Sequence, residues 1–260
     1  MDAVAAKLAV IAAEAGAIVM RHYRAGTEAR LKDDRSPVTD ADEETEAFIL
    51  AALARAFPDM PVAAEEAAAA GGGCNPCAHF FLVDPLDGTR EFLKRNGEFT
   101  VNIAEVNDGI AVAGVVYAPA KGRLFLGGAD GAFEVAQDPD APLALQAARR
   151  IRAWAPKAEG WVAVGSRSHQ DAETEDFLKR FTIRQFVSAG SSLKFCLLAA
   201  GEADIYVRAG RTMEWDTAAG HAVLNAAGGR VTRFDGEPFV YGKPGFENGP
   251  FVARGLIPTD

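Results

Sequence analysis

The chain reads as a mixed α/β (α+β) protein on three observations. Two helical apolar periodicities open it, strand-length apolar stretches fill residues 80–136, and strands alternate with helices beyond a proline-broken stretch at 138–142. Its 260 residues suffice for one large domain or two small ones sharing a core, and 49% hydrophobic with 24% charged residues is a globular composition.

Val4, Leu8, Ile11, Ala15, Ile18 and Val19 step by three and four, which predicts a helix over 3–23. Arg35-Ser36-Pro37-Val38 reads as extended chain. Thr39 suits the N-cap of a second helix with acids in its first turn, an apolar face at Phe48, Ile49, Ala52 and Leu53, and a stop at Pro58. Residues 67–75, with Gly71-Gly72-Gly73, read as a flexible loop. Phe80-Phe81-Leu82-Val83 is a buried-strand pattern running into Asp84-Pro85, and 89–95 reads as a short helix. Strands are predicted over 100–106 and 110–117, joined by a turn at Asn107-Asp108-Gly109, then over 123–126 and 132–136. Beyond the break, 161–164, 183–187, 204–207 and, as the last, 230–234 read as strands, with helices over 172–181, 191–200 and 217–227. The expected division is an N-terminal α+β subdomain, 1–138, and a C-terminal α/β subdomain, 139–260.

Lys plus Arg is 27 against 36 Asp plus Glu, a net charge of −9, so binding of nucleic acid through its phosphates is not expected. A small anion still binds where local cations or metals reverse the field. No stretch approaches the roughly 18–20 uninterrupted apolar residues of a membrane span. The apolar N-terminus is interrupted by Lys7 and Glu14 and lacks a basic leader, so neither an integral membrane segment nor a secretory signal is expected. Three cysteines, an odd and low count, suit a reducing cytoplasm.

Glu65-Glu66, Asp84-Pro85-Leu86-Asp87-Gly88-Thr89 and Trp215-Asp216-Thr217-Ala218-Ala219-Gly220 each fall where a strand or loop meets a helix. Oxygen-rich groups of this kind suit Mg²⁺, with the Leu86 carbonyl as a further ligand. Asp84 and Asp87 flank a proline on stiff backbone, and divalent cations would relieve their repulsion. Amides after Gly88 could cradle a phosphate. The spacing of Asp84 and Asp87 does not match an EF-hand loop. Each cluster alone has a structural reading: a tight turn at 84–89, a solvated pair at 65–66, a helix cap at Asp216, a capping-box acid at Asp42. Their joint occurrence in this order favours chemistry.

Together these residues resemble the signature of the inositol monophosphatase superfamily, and the resemblance covers nearly the whole chain. Residues 89–103, Ser166-Arg167-Ser168-His169, Gly190-Ser191-Ser192-Leu193-Lys194-Phe195-Cys196 and Trp215–Val223 resemble its bacterial 3′(2′),5′-bisphosphate nucleotidase branch. The resemblance implies a layered α-β-α-β-α sandwich and hydrolysis of adenosine 3′,5′-bisphosphate to AMP and phosphate, a clean-up step in sulfate assimilation. It implies two or three Mg²⁺ held by Glu65, Asp84, the Leu86 carbonyl, Asp87 and Asp216, an activated water attacking phosphorus, and inhibition by Li⁺. Asp42 and Thr89 match the pair that acts on the water, with Glu65 also in the catalytic set. Gly88 and Thr89 match the phosphate cradle. His169, Ser191, Lys194 and Arg208, with Asp216, fall where the nucleotidases hold their small-molecule substrate. Its setting would be cytoplasmic, with peripheral association at the inner membrane and oligomeric state left open. Rival readings are an inositol monophosphatase or fructose-1,6-bisphosphatase of the same fold, and a non-enzymatic divalent-cation or nucleotide-sensing module. The chain departs from the family pattern at Val62-Ala63-Ala64, where a serine commonly precedes the glutamate pair.

Cys74-Asn75-Pro76-Cys77 has no second pair to complete a zinc site, Cys196 reads as a packed core thiol, and Trp154, Trp161 and Trp215 need no cofactor.

Overall fold

The structure, a computed structural model, describes residues 1–32, 36–72, 77–166 and 171–256. In chain order its elements are α1 (Ala3–Ala25), β1 (Arg30–Leu31), β2 (Pro37–Val38), α2 (Asp40–Ala56), β3 (Val62–Ala64), α3 (Glu65–Ala69), β4 (His79–Asp87) and α4 (Thr89–Leu93). There follow β5 (Thr100–Asn107), β6 (Ile110–Ala118), β7 (Arg123–Gly128), β8 (Gly131–Ala136), β9 (Arg149–Ile151), β10 (Trp161–Gly165) and α5 (Ala172–Leu178). The chain closes with β11 (Ile183–Ser188), α6 (Leu193–Ala199), β12 (Ile205–Arg208), β13 (Thr212–Met213), α7 (Ala218–Ala226), β14 (Arg230–Arg233), β15 (Glu247–Asn248) and β16 (Phe251–Arg254).

Two large sheets carry the fold: a seven-stranded sheet in sequential order from β3 to β9, and a five-stranded sheet in the order β11-β10-β12-β16-β14. One apolar cluster packs α1 and α2 (Leu8, Val19, Ile49, Leu53) on one face of the first sheet through Phe81, Val83, Val101 and Ile103. A second sets α6 and α7 between its other face (Phe80, Leu82, Ala104) and the second sheet (Tyr206, Val231, Phe251). A third packs Phe177 of α5 on the outer face of the second sheet at Ala163, Ile205 and Val207. The layers therefore run α-β-α-β-α. Strand alternation makes this stacking work: in β4, Phe80 and Leu82 face one core and Phe81 and Val83 the other. The middle layer approaches closely. A Cβ on Gly114 of β6 would stand 2.7 Å from the Ala219 carbonyl oxygen of α7, so glycine is required there.

Three expectations change, and a fourth concerns α1. Residues 67–69 are helical, in α3, rather than loop. The strand at 230–233 is not the last: β16 inserts antiparallel between β12 and β14, a long-range pairing that local pattern does not reveal. The stretch 138–142 does not end the first sheet, because β9 pairs with β8 beyond it. α1 is, by length and composition alone, apolar enough to cross a membrane despite Lys7 and Glu14. Its apolar face is buried in protein, with Leu8, Ala12, Ala15 and Val19 essentially inaccessible.

His221 of α7 is buried with Nδ1 2.8 Å from the Tyr241 hydroxyl, and burial lowers its pKa from the usual 6.5 to about 3. The unfolded chain therefore binds a proton below pH 6.5 that the folded chain refuses, and stability is lost as pH falls from 6.5 towards 3. Compared with His221→Gln by urea denaturation, the wild-type advantage should shrink by about 1.4 kcal/mol per pH unit between pH 6 and 4. A pH-independent difference would refute this.

Candidate active site

The site forms where β3, β4 and the turn before α7 meet. By alternation, Asp84 shares the face of Leu82 and points toward the middle helical layer; it is 1% exposed. The β4–β5 ladder is bulged just there: Asp84 opposes Asn102 while Asp87 opposes Thr100, so β4 carries one extra residue. Pro85, which has no amide to donate, sits in the bulge. The Asp84 carboxylate accepts the Leu86 N–H at 3.0 Å. Gly88 then turns the chain with φ 93°, where a Cβ would stand 3.2 Å from the Glu98 carbonyl oxygen.

This turn presents Thr89 to α2. The Thr89 hydroxyl donates to Asp42 Oδ1 at 3.1 Å and lies 3.3 Å from the Leu86 carbonyl oxygen. Asp42 Oδ2 accepts the Thr39 amide at 2.8 Å and the Thr39 hydroxyl at 2.7 Å, completing a capping box. Asp42 is thus both a capping acid and the partner of Thr89, one oxygen for each. Burial raises its pKa to about 6, against the lowering effect of the Thr39 and Thr89 bonds.

Glu65 and Glu66 open α3. Ala64, at the N-cap of α3, makes no side-chain cap. Glu46 of α2 caps in its place, accepting the Glu66 and Ala67 amides at 2.7 and 2.8 Å. Lys32 donates to Glu65 Oε1 and Glu66 Oε1, both at 2.7 Å. Burial opposes the Lys32 charge, but the two glutamates outweigh it and raise its pKa. Burial lifts Glu66 to about 7 in spite of Lys32.

Asp216 lies in the turn before α7, where Oδ2 accepts the Met213 amide at 2.7 Å. Glu214, with no exposed surface, braces this turn by accepting the Gly242 and Lys243 amides at 2.7 and 2.9 Å and the Lys243 ammonium at 2.6 Å. Asn248 donates to the Met213 carbonyl at 2.8 Å and to Thr217 Oγ1 at 3.1 Å. Asp87 accepts the Ser192 amide at 2.6 Å.

Burial raises the pKa of Asp84, Asp87 and Asp216; neighbouring charge adds to it at Asp84, which feels Glu65, Asp87 and Asp216, and at Asp216, which feels Asp87 and Glu65, while Lys194 and Ser192 oppose it at Asp87. The four carboxylates predicted from the sequence are therefore electrostatic neighbours. They are not a closed cage: among the described residues no three Asp, Glu, His or Cys side chains converge tightly enough to hold a metal ion. The reason is visible in the bonds above, since Lys32 engages Glu65, Ser192 engages Asp87 and the Met213 amide engages Asp216. Of the four carboxylates, Glu65 alone has an ion pair among the described residues, with Lys32. The donor set fits Mg²⁺ in kind, because all its atoms are hard oxygens and Mg²⁺ takes few carboxylates while keeping several waters.

A cavity of about 140 Å³ is lined by Asp87, Gly88, Asp216, Ser191, Lys194 and Arg208. Lys194 is buried, donates to the Ser191 carbonyl at 2.6 Å, and lies 5.3 Å from the Tyr206 ring centre. Burial lowers its ammonium pKa to about 8. Ser191 precedes α6 rather than starting it, has φ 49°, and carries a buried hydroxyl with no partner among the described residues. Arg208 ends β12 and donates to the Gly210 carbonyl at 3.3 Å. His169 and Cys74 lie outside the described residues.

Lys32, Glu46, Asn102 and Ser192 were missed from the sequence. Glu46 had a signal: it lies three residues before Ile49, an acid on the apolar face of its helix. The other three acquire meaning only through contacts across the fold.

These carboxylates, cations and backbone amides sit on a layered α-β-α-β-α sandwich. The inositol monophosphatase family matches residues 1–257, and the chain belongs to that family. It is 42% identical over 210 residues to the 3′(2′),5′-bisphosphate nucleotidase CysQ of Escherichia coli strain K12, covering 81% of each chain. It is 36% identical over 255 residues to the CysQ nucleotidase of Buchnera aphidicola, covering 96% of this chain and 93% of that one. Among solved structures, CysQ from Bacteroides thetaiotaomicron, titled a bacterial member of the inositol monophosphatase family, superposes with a TM-score of 0.81 at 36% identity. That match covers 98% of this chain and 97% of the other.

Glu46→Ala should leave two amides at the head of α3 without an acceptor. The expected loss is about 1–2 kcal/mol in urea denaturation, with faster hydrogen exchange at Glu66 and Ala67. Unchanged exchange at those two amides would refute the cap.

Proposed function

We propose that this chain is a Mg²⁺-dependent, Li⁺-sensitive 3′(2′),5′-bisphosphate nucleotidase that releases the 3′-phosphate of adenosine 3′,5′-bisphosphate to leave AMP, and that it works in the cytoplasm. The observation that carries this reading is a cavity lined by the carboxylates of Asp87 and Asp216 together with Lys194 and Arg208. A substrate with two phosphates matches it: one group to be cleaved beside Asp87 and Asp216, and one to be paired by the cations.

Glu65, Asp84, the Leu86 carbonyl, Asp87 and Asp216 would hold the metal. Bound there, Mg²⁺ supplies Lewis-acid polarisation of the phosphoryl group and offsets its developing charge. The chain's own groups move the proton. Thr89 donates its hydroxyl hydrogen to Asp42, so its lone pairs are turned to accept one from the attacking water. An Asp42 that titrates near 6 can take up the hydrogen that Thr89 hands on. The amides of Gly88 and Thr89 cradle the phosphate, and Ser191, Lys194, Arg208 and His169 hold the rest of the nucleotide. Positioning and charge neutralisation, rather than covalent chemistry, then supply the acceleration.

Phosphate release from adenosine 3′,5′-bisphosphate, inositol 1-phosphate, fructose 1,6-bisphosphate and AMP, with and without Mg²⁺ and Li⁺, tests the reading. The bisphosphate nucleotide should lead by at least about tenfold, roughly 1.4 kcal/mol, with loss of turnover on chelation and inhibition by Li⁺. A lead for either sugar phosphate, or release unaffected by chelation, overturns the proposal. Lys194→Ala should narrow the preference for the bisphosphate over AMP.

In a second experiment, Asp84→Asn should lower both Mg²⁺ binding and the rate, the rate by roughly three orders of magnitude or more. Thr89→Ala should keep metal binding and lose the rate. Near-normal turnover of Asp84→Asn at millimolar Mg²⁺ contradicts the metal assignment, and equal loss of binding and rate in Thr89→Ala makes Thr89 structural.

A further inference from the structure

Ser192 sits at the head of α6, yet its side chain does not cap that helix. A serine in this place ordinarily accepts an amide of its own first turn. Here the side chain, 1% exposed, is committed across the fold. Its amide donates to Asp87 Oδ2 at 2.6 Å. Its Oγ accepts Asn102 Nδ2 at 2.9 Å, lies 3.0 Å from Asp87 Oδ2 and lies 2.6 Å from the Asp216 carbonyl oxygen. A hydroxyl has one hydrogen. With Asn102 as donor to Oγ and the Ser192 amide already on Asp87, the shortest remaining contact, to the Asp216 carbonyl, receives it. One residue thus grips a carboxylate at the end of β4 through its amide and the backbone of the turn before α7 through its hydroxyl. Asn102, on the neighbouring strand β5, steadies the hydroxyl and also reaches Asp87 at 3.4 Å.

We propose that Ser192, backed by Asn102, is a positioning residue that holds Asp87 and Asp216 at a fixed separation against their mutual repulsion, and so sets the affinity of the divalent-cation site. The inference rests on the reading of Asp87 and Asp216 as metal ligands. Groups that orient metal ligands typically change affinity by tenfold or more when removed.

The test is Mn²⁺ binding to the full chain, by titration calorimetry without substrate, for wild type, Ser192→Ala and Ser192→Thr. Ser192→Ala should bind Mn²⁺ about tenfold more weakly and need correspondingly more Mg²⁺ for half-maximal phosphate release. Its KM for the nucleotide at saturating Mg²⁺ should not change. Its metal-free unfolding midpoint should stay within about 4 °C of wild type. Ser192→Thr keeps the hydroxyl and should bind within about threefold of wild type, some 0.7 kcal/mol. Wild-type Mn²⁺ affinity in Ser192→Ala, or an equal loss in Ser192→Thr, overturns the role of Ser192 while leaving the nucleotidase reading intact. Failure of the wild-type chain itself to bind Mn²⁺ overturns the metal site and this inference with it.

Discussion

Buried negative charge is the constraint around which this molecule is arranged. Asp84, Asp87 and Asp216 are withdrawn from water, which raises their affinity for protons, and the surrounding carboxylates raise it further at Asp84 and Asp216. Such a group is costly to assemble unless each carboxylate has a partner. The structure supplies partners one by one: an ammonium from Lys32, amides from Leu86, Ser192 and Met213, and hydroxyl groups around them. Asp84, which feels the charge of the other three, accepts the Leu86 amide.

The layered fold explains how side chains so far apart in sequence meet. β4 delivers Asp84 and Asp87 from inside a seven-stranded sheet, and the bulge at Pro85 lets both serve the same region although an uninterrupted strand would separate them by face. α7 delivers the Asp216 turn from the middle layer, pressed against the sheet through Gly114. α2 reaches the opposite side twice, with Asp42 holding Thr89 and Glu46 capping α3. Buried polar groups on that helix therefore serve its own stability and the geometry of the site together.

Local pattern carried much of this. The periodicity of residues 3–23, the Thr39 cap, the hairpin at Asn107-Asp108-Gly109 and the helix before residue 227 match the observed elements closely, because each depends on neighbours within a few positions. The acidic motifs were equally legible, since Asp-Pro-Leu-Asp-Gly-Thr places its chemistry within six residues. Pattern failed where distance entered. β16 takes a central place in the second sheet from near the chain's end, β9 rejoins the first sheet across a proline-rich stretch, and Lys32 pairs with glutamates more than thirty residues away.

From residues alone came the kinds of group available: hard oxygen donors, a threonine beside a tight glycine turn, and cations suited to an anionic substrate. Which of them face one another was decided by packing. That Ser192 rather than Ser191 joins Asp87 to the Asp216 turn, that Glu46 caps α3 from another helix, and that Asp42 divides its two oxygens between Thr39 and Thr89 are facts of three-dimensional approach. Hydrogen bonds act over about 3 Å, and sequence separation says nothing about which atoms come that close.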